Sequence, residues 1–364
     1  MKKLIAISVM LALITGAVFA QTSVSGGVET RFTVLQGTSD DELKDLRTQA
    51  TVNAAHVQLT GRNEAGTIGA LARVRQADTG YHRAFIWWRP VPELRIFLGR
   101  DDDGMFSTGN ALTDWQFHQG GEGYVSIHNW ALWRAVFPGN WDKPGLAFSY
   151  YGVEGLELNL VIPAESSSTI EAMYPAGLHL MGSYRIPDIG TVLFSYYGEP
   201  KTLEDITEGN EKATFGNTGI SFLLTAVPGL RTQIGVSTFP ALKGPTPPIR
   251  IGWGLNWASG NFGVKARAAY FIRGATGTDN QRGYEQDTPD RFIGNIMPYY
   301  TMGNVSIFCD IGIDNNRTGD DVLDWWVNPY IRYANFRAGV LVQGNNTDGA
   351  PVTFRVPILA AFGF

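Results

Sequence analysis

The residues with the clearest capacity for chemistry are charged side chains in two separate settings. One stretch is acidic, beginning with Asp101, Asp102 and Asp103 and continuing with Asp114 and Glu122. The basic residues instead occur singly within segments of alternating polarity: Arg31, Arg73, Arg75, Arg95, Arg250, Lys265, Arg267, Arg332, Arg337 and Arg355. Carboxylates facing guanidinium groups create a local field that orients polar solutes and sets ion preference. The two sets predict an electrostatic role, provided that the fold brings them together.

Covalent catalysis and metal binding are not indicated by the sequence. The five histidines are scattered, and no nucleophile motif such as G-x-S-x-G accompanies them. Cys309 is the only cysteine, so an intrachain disulfide and a thiolate metal cluster are both excluded. The runs Asp101–Asp103 and Asp320–Asp321 lack the alternating oxygen ligands and fixed glycine of calcium loops. We expect no enzyme, metal or cofactor, and the net charge of −5 argues against nucleic acid as a partner.

The elements that must position the charged residues are short strands joined in a regular rhythm. Tight turns rich in Pro, Gly, Asn and Asp recur at 89–93, 152–155, 186–190, 227–229, 259–261, 302–304 and 334–335. Long polar segments separate the resulting hairpins, for example 35–49, 199–213, 274–289 and 314–324. Short turns that alternate with long loops predict an all-β fold, an antiparallel up-and-down transmembrane β-barrel.

The rhythm predicts about eighteen strands, with sixteen as the alternative if two weak strands are miscounted. The predicted spans are 22–34, 51–62, 66–76, 81–90, 93–100, 144–151, 155–163, 177–186, 189–198, 214–226, 229–238, 249–258, 261–273, 291–301, 303–313, 325–334, 335–343 and 352–364. With this count both termini lie at the short-turn end. The longest loop, 101–143, is the third external one.

The predicted strands alternate between an apolar and a polar face. In the segment 249–258, the odd-numbered residues from Ile249 to Trp257 are apolar, and the even-numbered ones include Arg250 and Asn256. In a membrane barrel the apolar face contacts lipid and the polar face lines the lumen, whereas in a soluble sandwich the apolar face is the core. Aromatic residues near strand ends predict two interfacial girdles: Trp87, Trp88, Tyr150, Tyr151, Tyr196, Tyr197, Trp257, Tyr299, Tyr300, Trp325 and Trp326.

The N-terminus favours the membrane over a soluble sandwich. Residues 1–20 combine Lys2 and Lys3 with an apolar stretch and the small-residue exit Val18-Phe19-Ala20, which predicts a cleaved secretory signal peptide. The apolar stretch is shorter than the roughly 20 residues of a spanning helix. Residues 21–364 are then expected to form a single barrel domain.

The C-terminus carries a resemblance to a known class of proteins. Val356, Ile358, Phe362 and Phe364 form an apolar row that ends on an aromatic residue. This row resembles the signal that outer-membrane barrels present to the barrel assembly machinery. Pro357 departs from the pattern, and we expect its missing N–H group to be tolerated at the lumen face or at the seam of the barrel.

The layout of the chain resembles that of the general diffusion porins. The resemblance implies a bacterial outer-membrane location, contact with membrane lipid and a homotrimer. It also implies that the third external loop, 101–143, folds into the lumen, where its acidic residues would face the basic wall and form a constriction. The function implied is passive diffusion of small hydrophilic solutes and ions.

Several alternatives remain open from the sequence. The chain is also compatible with a substrate-selective outer-membrane channel, or with a surface-exposed barrel that acts as an adhesin or antigen. Transporters with an N-terminal plug are disfavoured because strand-like alternation begins by Val24. The run Asp101–Asp103 is equally consistent with a solvated loop tip, since charge runs in loops are commonly only solvated.

Overall fold

The computed structural model describes residues 21–41, 46–75, 81–101, 145–163, 178–198, 216–238, 249–272, 291–315 and 322–363. The first strands are β1 (Gln21–Thr38), β2 (Arg47–Arg62), β3 (Ile68–Arg75), β4 (Tyr81–Val91), β5 (Leu94–Asp101), β6 (Gly145–Tyr150), β7 (Leu156–Pro163), β8 (His179–Ile186) and β9 (Gly190–Gly198). They are followed by β10 (Gly216–Leu224), β11 (Leu230–Thr238), β12 (Ile249–Ser259), β13 (Phe262–Ile272), β14 (Arg291–Met302), β15 (Val305–Asn315), β16 (Leu323–Tyr333), β17 (Phe336–Gly339), β18 (Leu341–Asn345) and β19 (Thr353–Gly363). No helix in these ranges has the length and hydropathy needed to cross a membrane.

The strands form one closed antiparallel sheet. Each strand pairs with its neighbours in the chain, and β1 pairs with both β2 and β19. Closure leaves no free sheet edge, which is the condition for a sheet to exist within hydrocarbon. The predicted up-and-down barrel is therefore confirmed for the described residues.

The two short strands β17 and β18 are halves of one spanning strand. Both pair with β16 and β19 in a single continuous register, and only Val340 separates them. Val340 lies opposite Pro329, which has no N–H group to donate, so the ladder is broken there although Val340 N still donates to Pro329 O at 2.9 Å. The barrel accordingly has eighteen spanning strands, and the alternative of sixteen is wrong.

Some strand ends differ from the sequence prediction. The pair β1–β2 extends into the predicted loop 35–49, where Gln36 pairs with Arg47. Both residues are polar, with Gln36 half-buried and Arg47 exposed, and polar sequence alone does not distinguish a pair of polar strands from a loop. Pro357 lies where the sequence predicted, since its side chain is buried and it pairs with Thr33 at the β1–β19 seam.

Outward and inward side chains alternate around the sheet as the sequence predicted. Large apolar side chains are exposed on one face, as in Ile220, Ile234 and Trp253. The polar side chains of the opposite face are buried: Thr33, Ser149, Asn159, Ser183, Thr191, Ser195, Ser221, Gln233, Ser237, Asp310 and Asn328. An apolar exterior around a polar interior is the arrangement of a transmembrane barrel and the inverse of a soluble one.

Candidate functional site

The inner wall of the barrel is the candidate functional site, and most of the predicted basic residues lie on it. Strand register places the following side chains on the inner face: Arg73, Arg95, Lys265, Arg267, Arg332, Arg337 and Arg355. Arg31, Arg75 and Arg250 pair with Leu359, His56 and Ser237, so their backbone positions belong to the same inward rows. Their side chains are not among those described.

The inner wall also carries charged residues that the sequence reasoning missed. Further basic side chains occupy inward positions, among them Arg47, Arg62, Arg83, Arg89, Arg185 and Arg231. Two buried acids, Asp314 and Asp324, lie directly opposite each other on β15 and β16. The period of two was sufficient to find these residues, because Arg83 shares its face with Phe85 and Trp87, and Arg231 shares its face with Gln233.

Only part of the predicted acidic set falls within the described residues. Asp101 ends β5, and its backbone pairs with Arg83 of β4 on the inward row. Asp102, Asp103, Asp114 and Glu122 lie outside the described residues. The structure thus places one acidic position beside the basic wall, at the point where the chain leaves β5 for the predicted loop 101–143.

A hydrogen-bonded network crosses the inner faces of β13 to β16. Arg267, which is only 3% exposed, donates through Nε to Asn295 Oδ1 at 3.2 Å. Asn295 Nδ2 donates to Asp310 Oδ1, and Trp326 Nε1 donates to Asp310 Oδ2 at 3.3 Å. A charge buried to this extent needs partners, and here the cation and the carboxylate are linked through the amide. The network fixes the orientation of Arg267 against the wall.

Arg95 lies on a platform of aromatic rings near the turn that joins β4 to β5. Its guanidinium carbon is 5.6 Å from the ring centre of Trp87, 5.4 Å from that of Phe97 and 5.9 Å from that of Tyr151. Cation–π contacts of this kind hold an arginine in place without using its hydrogen-bond donors. Arg83 makes a similar contact with Phe85, at 5.7 Å.

Apolar clusters interrupt the polar inner wall, and the smallest described one pairs Trp326 with Leu341. The first of two larger ones lies on β4 to β7 and contains Phe85, Phe97, Ala147 and Val161. The second lies on β14 to β16, where Phe308 stacks on Tyr330 with ring centres 4.8 Å apart and Tyr330 also contacts Met297. Lys265 Nζ lies 5.5 Å from the ring of Tyr299 beside this second cluster. Both clusters are buried although they face the lumen.

The predicted aromatic girdle needs correction. Consecutive aromatic residues on a strand point to opposite faces, so only one member of a pair such as Trp87-Trp88 can contact lipid. Trp88, Tyr150, Trp257 and Tyr300 are exposed on the outer face. The inward members are instead part of the wall: Trp87, Tyr151, Tyr299 and Trp326.

The C-terminal row has the predicted orientation. Val356, Ile358 and Phe362 alternate with the inward residues Arg355, Pro357 and Leu359 along β19, and Phe362 is exposed on the outer face. Phe364 lies outside the described residues. Cys309 likewise faces outward, between Ile307 and Ile311 on β15.

Comparison with solved structures identifies this fold among outer-membrane proteins. The chain is similar to OpdQ of Pseudomonas aeruginosa, with a TM-score of 0.55, 11% identity, and coverage of 94% of this chain and 98% of the other. It is similar to the outer membrane protein OpdK of the same organism, with a TM-score of 0.54, 9% identity, and coverage of 95% and 100%. OpdO of P. aeruginosa gives a TM-score of 0.52, 11% identity, and coverage of 95% and 98%.

No protein-family model matches the chain, and no curated protein matches its sequence. The structural likeness covers the barrel from end to end but, at these identities, it concerns the fold alone. The closed eighteen-stranded sheet, the apolar exterior and the polar interior define the class: the chain is a porin-like β-barrel of the bacterial outer membrane.

Proposed function

We propose that this barrel is a water-filled pore for the passive diffusion of small hydrophilic solutes and ions. The observation that carries the proposal is the inward row of arginines, from Arg73 on β3 to Arg355 on β19. Charged groups on the inner face of a membrane barrel require hydration, and a barrel of sixteen to eighteen strands is wide enough to hold an aqueous channel. Diffusion through such a channel needs neither a catalytic residue nor a cofactor.

We also propose that the segment 101–143 narrows this pore. Two features of the described wall support the constriction. Asp101 pairs with Arg83, so the segment starts beside inward-facing positive charge. The apolar cluster of Phe85, Phe97, Ala147 and Val161 faces the lumen yet is buried, and it lies on the strands adjoining that segment. A field between Asp101–Asp103, Asp114 and Glu122 and the wall arginines would favour polar solutes over apolar ones.

Two partners follow from the proposal but await direct tests. The outward row of β19, with Val356, Ile358 and Phe362, supports recognition by the barrel assembly machinery. Replacing Phe362 by Ser is expected to lower the amount of folded protein in the outer membrane, whereas the inward replacement Ala361→Ser is not. A homotrimer is expected to appear in unheated detergent solution by light scattering; a monomer there would contradict it.

Liposome swelling tests the proposed diffusion directly. Vesicles that contain the purified, folded barrel are transferred into iso-osmotic solutions of neutral sugars of increasing size. We expect swelling that slows steadily as the sugar grows, because a passive pore selects by size. Swelling no faster than in protein-free vesicles, for every sugar, contradicts the proposal, and uptake of one sugar alone supports a substrate-selective channel instead.

A further inference from the structure

Inward-facing basic residues lie at both ends of the barrel, and those at one end have few inward-facing acids beside them. The end with the short turns, which is the periplasmic end in outer-membrane barrels, has eight of them within a few residues of a turn: Arg62, Arg89, Arg95, Arg185, Arg231, Lys265, Arg332 and Arg337. We call this ring the cationic collar. Glu157 is the one acid among the described inward residues of that end.

The inward-facing acids make the described wall electrically asymmetric along its axis. The turns below the collar carry the exposed acids Glu64, Glu93, Glu154 and Asp188, whose charges are screened by salt more than those of the half-buried Arg89 and Arg95 are. Towards the opposite end, the inward arginines are accompanied by the buried acids Asp314 and Asp324; these arginines include Arg47, Arg73, Arg83 and Arg355. Clefts lined by one sign of charge concentrate counter-ions, so the short-turn mouth attracts anions.

Arg89 and Arg95 are the most organised part of the collar. They lie on adjacent strands, and their charges are close enough to interact, with Glu157 also near Arg95. Arg95 is held by Trp87, Phe97 and Tyr151. The Nε atoms of both arginines are buried and have no hydrogen-bond partner among the described residues. A guanidinium group held by aromatic rings, with a second guanidinium group close to it, matches the oxygens of phosphate or carboxylate groups.

A second pair of arginines lies elsewhere on the collar. Arg332 of β16 and Arg337 of β17 occupy directly opposed positions. Like charges directly opposite each other destabilise a sheet. At either arginine pair, Arg89 with Arg95 or Arg332 with Arg337, a bound anion with several charged groups offsets the repulsion. A monovalent ion offsets it less.

We propose that the cationic collar is a binding site for polyvalent oxyanions that approach from the short-turn side. The inference rests on the proposed pore, since the collar is reached through its mouth. The chemistry recognised is a compact array of phosphate or carboxylate oxygens, with Arg89 and Arg95 as the principal donors. An anion bound there obstructs the lumen and reduces ion flow.

Single-channel recording with anions added to one chamber tests this proposal. The probes are inorganic tripolyphosphate and citrate, in separate arms that distinguish phosphate from carboxylate. The orientation of the inserted barrel is marked by a biotin attached to Asn304→Cys, which lies in a short turn. The variant also carries Cys309→Ala, which removes the native thiol. We expect tripolyphosphate to block current from the short-turn side at a concentration about tenfold lower than from the other side.

A double variant and a matched control locate the site. Arg89→Gln with Arg95→Gln is expected to raise the blocking concentration from the short-turn side about tenfold, the change that 1.4 kcal/mol of lost binding produces. Arg47→Gln with Arg355→Gln removes the same charge at the opposite end and is expected to keep the side-specific block. Folding of each variant is checked by its mobility in unheated gels.

The possible outcomes distinguish a failure of the proposed anion site from a failure of the proposed pore. A protein without conductance contradicts the pore itself. Conductance with equal block from both sides for both probes overturns the collar, and so does a side-specific block that survives in the folded double variant. Side-specific block by citrate alone supports the site and assigns it to carboxylates.

Discussion

Trp326 of β16 donates its indole N–H to Asp310 of β15, and both side chains are about 1% exposed on the inner wall. The same carboxylate accepts from Asn295 of β14, which in turn accepts from Arg267 of β13. Four neighbouring strands are thus tied together by one buried acid. The stability of this wall should depend on Asp310 much more than on the residues that surround it.

Replacing Asp310 by Ala tests that dependence. The buried Trp326 and the half-buried Asn295 lose their acceptor, so we expect the free energy of unfolding to fall by at least about 2 kcal/mol. The measurement is unfolding in urea, followed by tryptophan fluorescence in lipid vesicles. Cys309→Ala is the matched control, because Cys309 is adjacent but faces outward, and it should change stability by less than about 1 kcal/mol. Equal effects of the two substitutions would show that the network contributes nothing.

The assignment of faces predicts that charges introduced at two neighbouring positions change the stability of the barrel to different extents. Val57 is exposed on the outer face of β2, whereas Gln58 faces inward and accepts a hydrogen bond from Arg73 Nε at 2.9 Å. Val57→Lys is expected to cost about 2–4 kcal/mol in a bilayer. Gln58→Glu gains a carboxylate beside Arg73 and is expected to fold with unchanged stability. Unfolding in vesicles measures both, and a reversed order would mean that the faces are misassigned.

Gly99 on β5 is required by the close approach of β4. Its φ of +134° is unusual for other residues, and an added Cβ would lie 2.2 Å from Ala84 O and 2.6 Å from Phe85 Cα. We expect Gly99→Ala to cost more than the roughly 1–3 kcal/mol of backbone strain alone, because the strands must also separate. Gly260 has a φ of +57° but open space around it, so Gly260→Ala isolates the strain. Comparable losses of stability for the two variants would contradict the clash.

The acidic half of the proposed constriction is tested by ion preference. Replacing Asp101, Asp102 and Asp103 together by Asn removes the negative charge that we propose to face the basic wall, so the preference for anions over cations should rise. The reversal potential in a gradient of potassium chloride reports this preference. Asp188→Asn, in an exposed short turn, should leave it nearly unchanged because exposed charges are screened by salt. An unchanged potential in the triple variant would favour a solvated loop tip.

Much of the fold could be predicted from the sequence because lipid and water impose a strict period of two. The odd-numbered row from Ile249 to Trp257 faces outward and Arg337 faces inward, as this period requires. The eighteen-stranded count was also correct. The position of Pro357 at the seam follows from the same logic, since a residue without N–H needs a place where no donor is missed.

The contacts that each inward side chain makes with the adjacent strands could not be predicted from the sequence. Nothing in the local sequence showed that Arg95 would rest on Trp87 and Tyr151, or that Asp310 would join Asn295 to Trp326, because register across strands decides those neighbours. The predicted aromatic girdle is wrong in part because it includes consecutive aromatic residues. The side chains of consecutive residues on a strand point to opposite faces.

Single-channel conductance in planar bilayers tests the central claim most directly. The folded barrel, added at low concentration to a membrane bathed in potassium chloride, is predicted to produce stepwise increases in current of uniform size, since each insertion opens one hydrated lumen. Protein that is demonstrably folded and inserted, yet gives no steps at any applied voltage, would contradict the account.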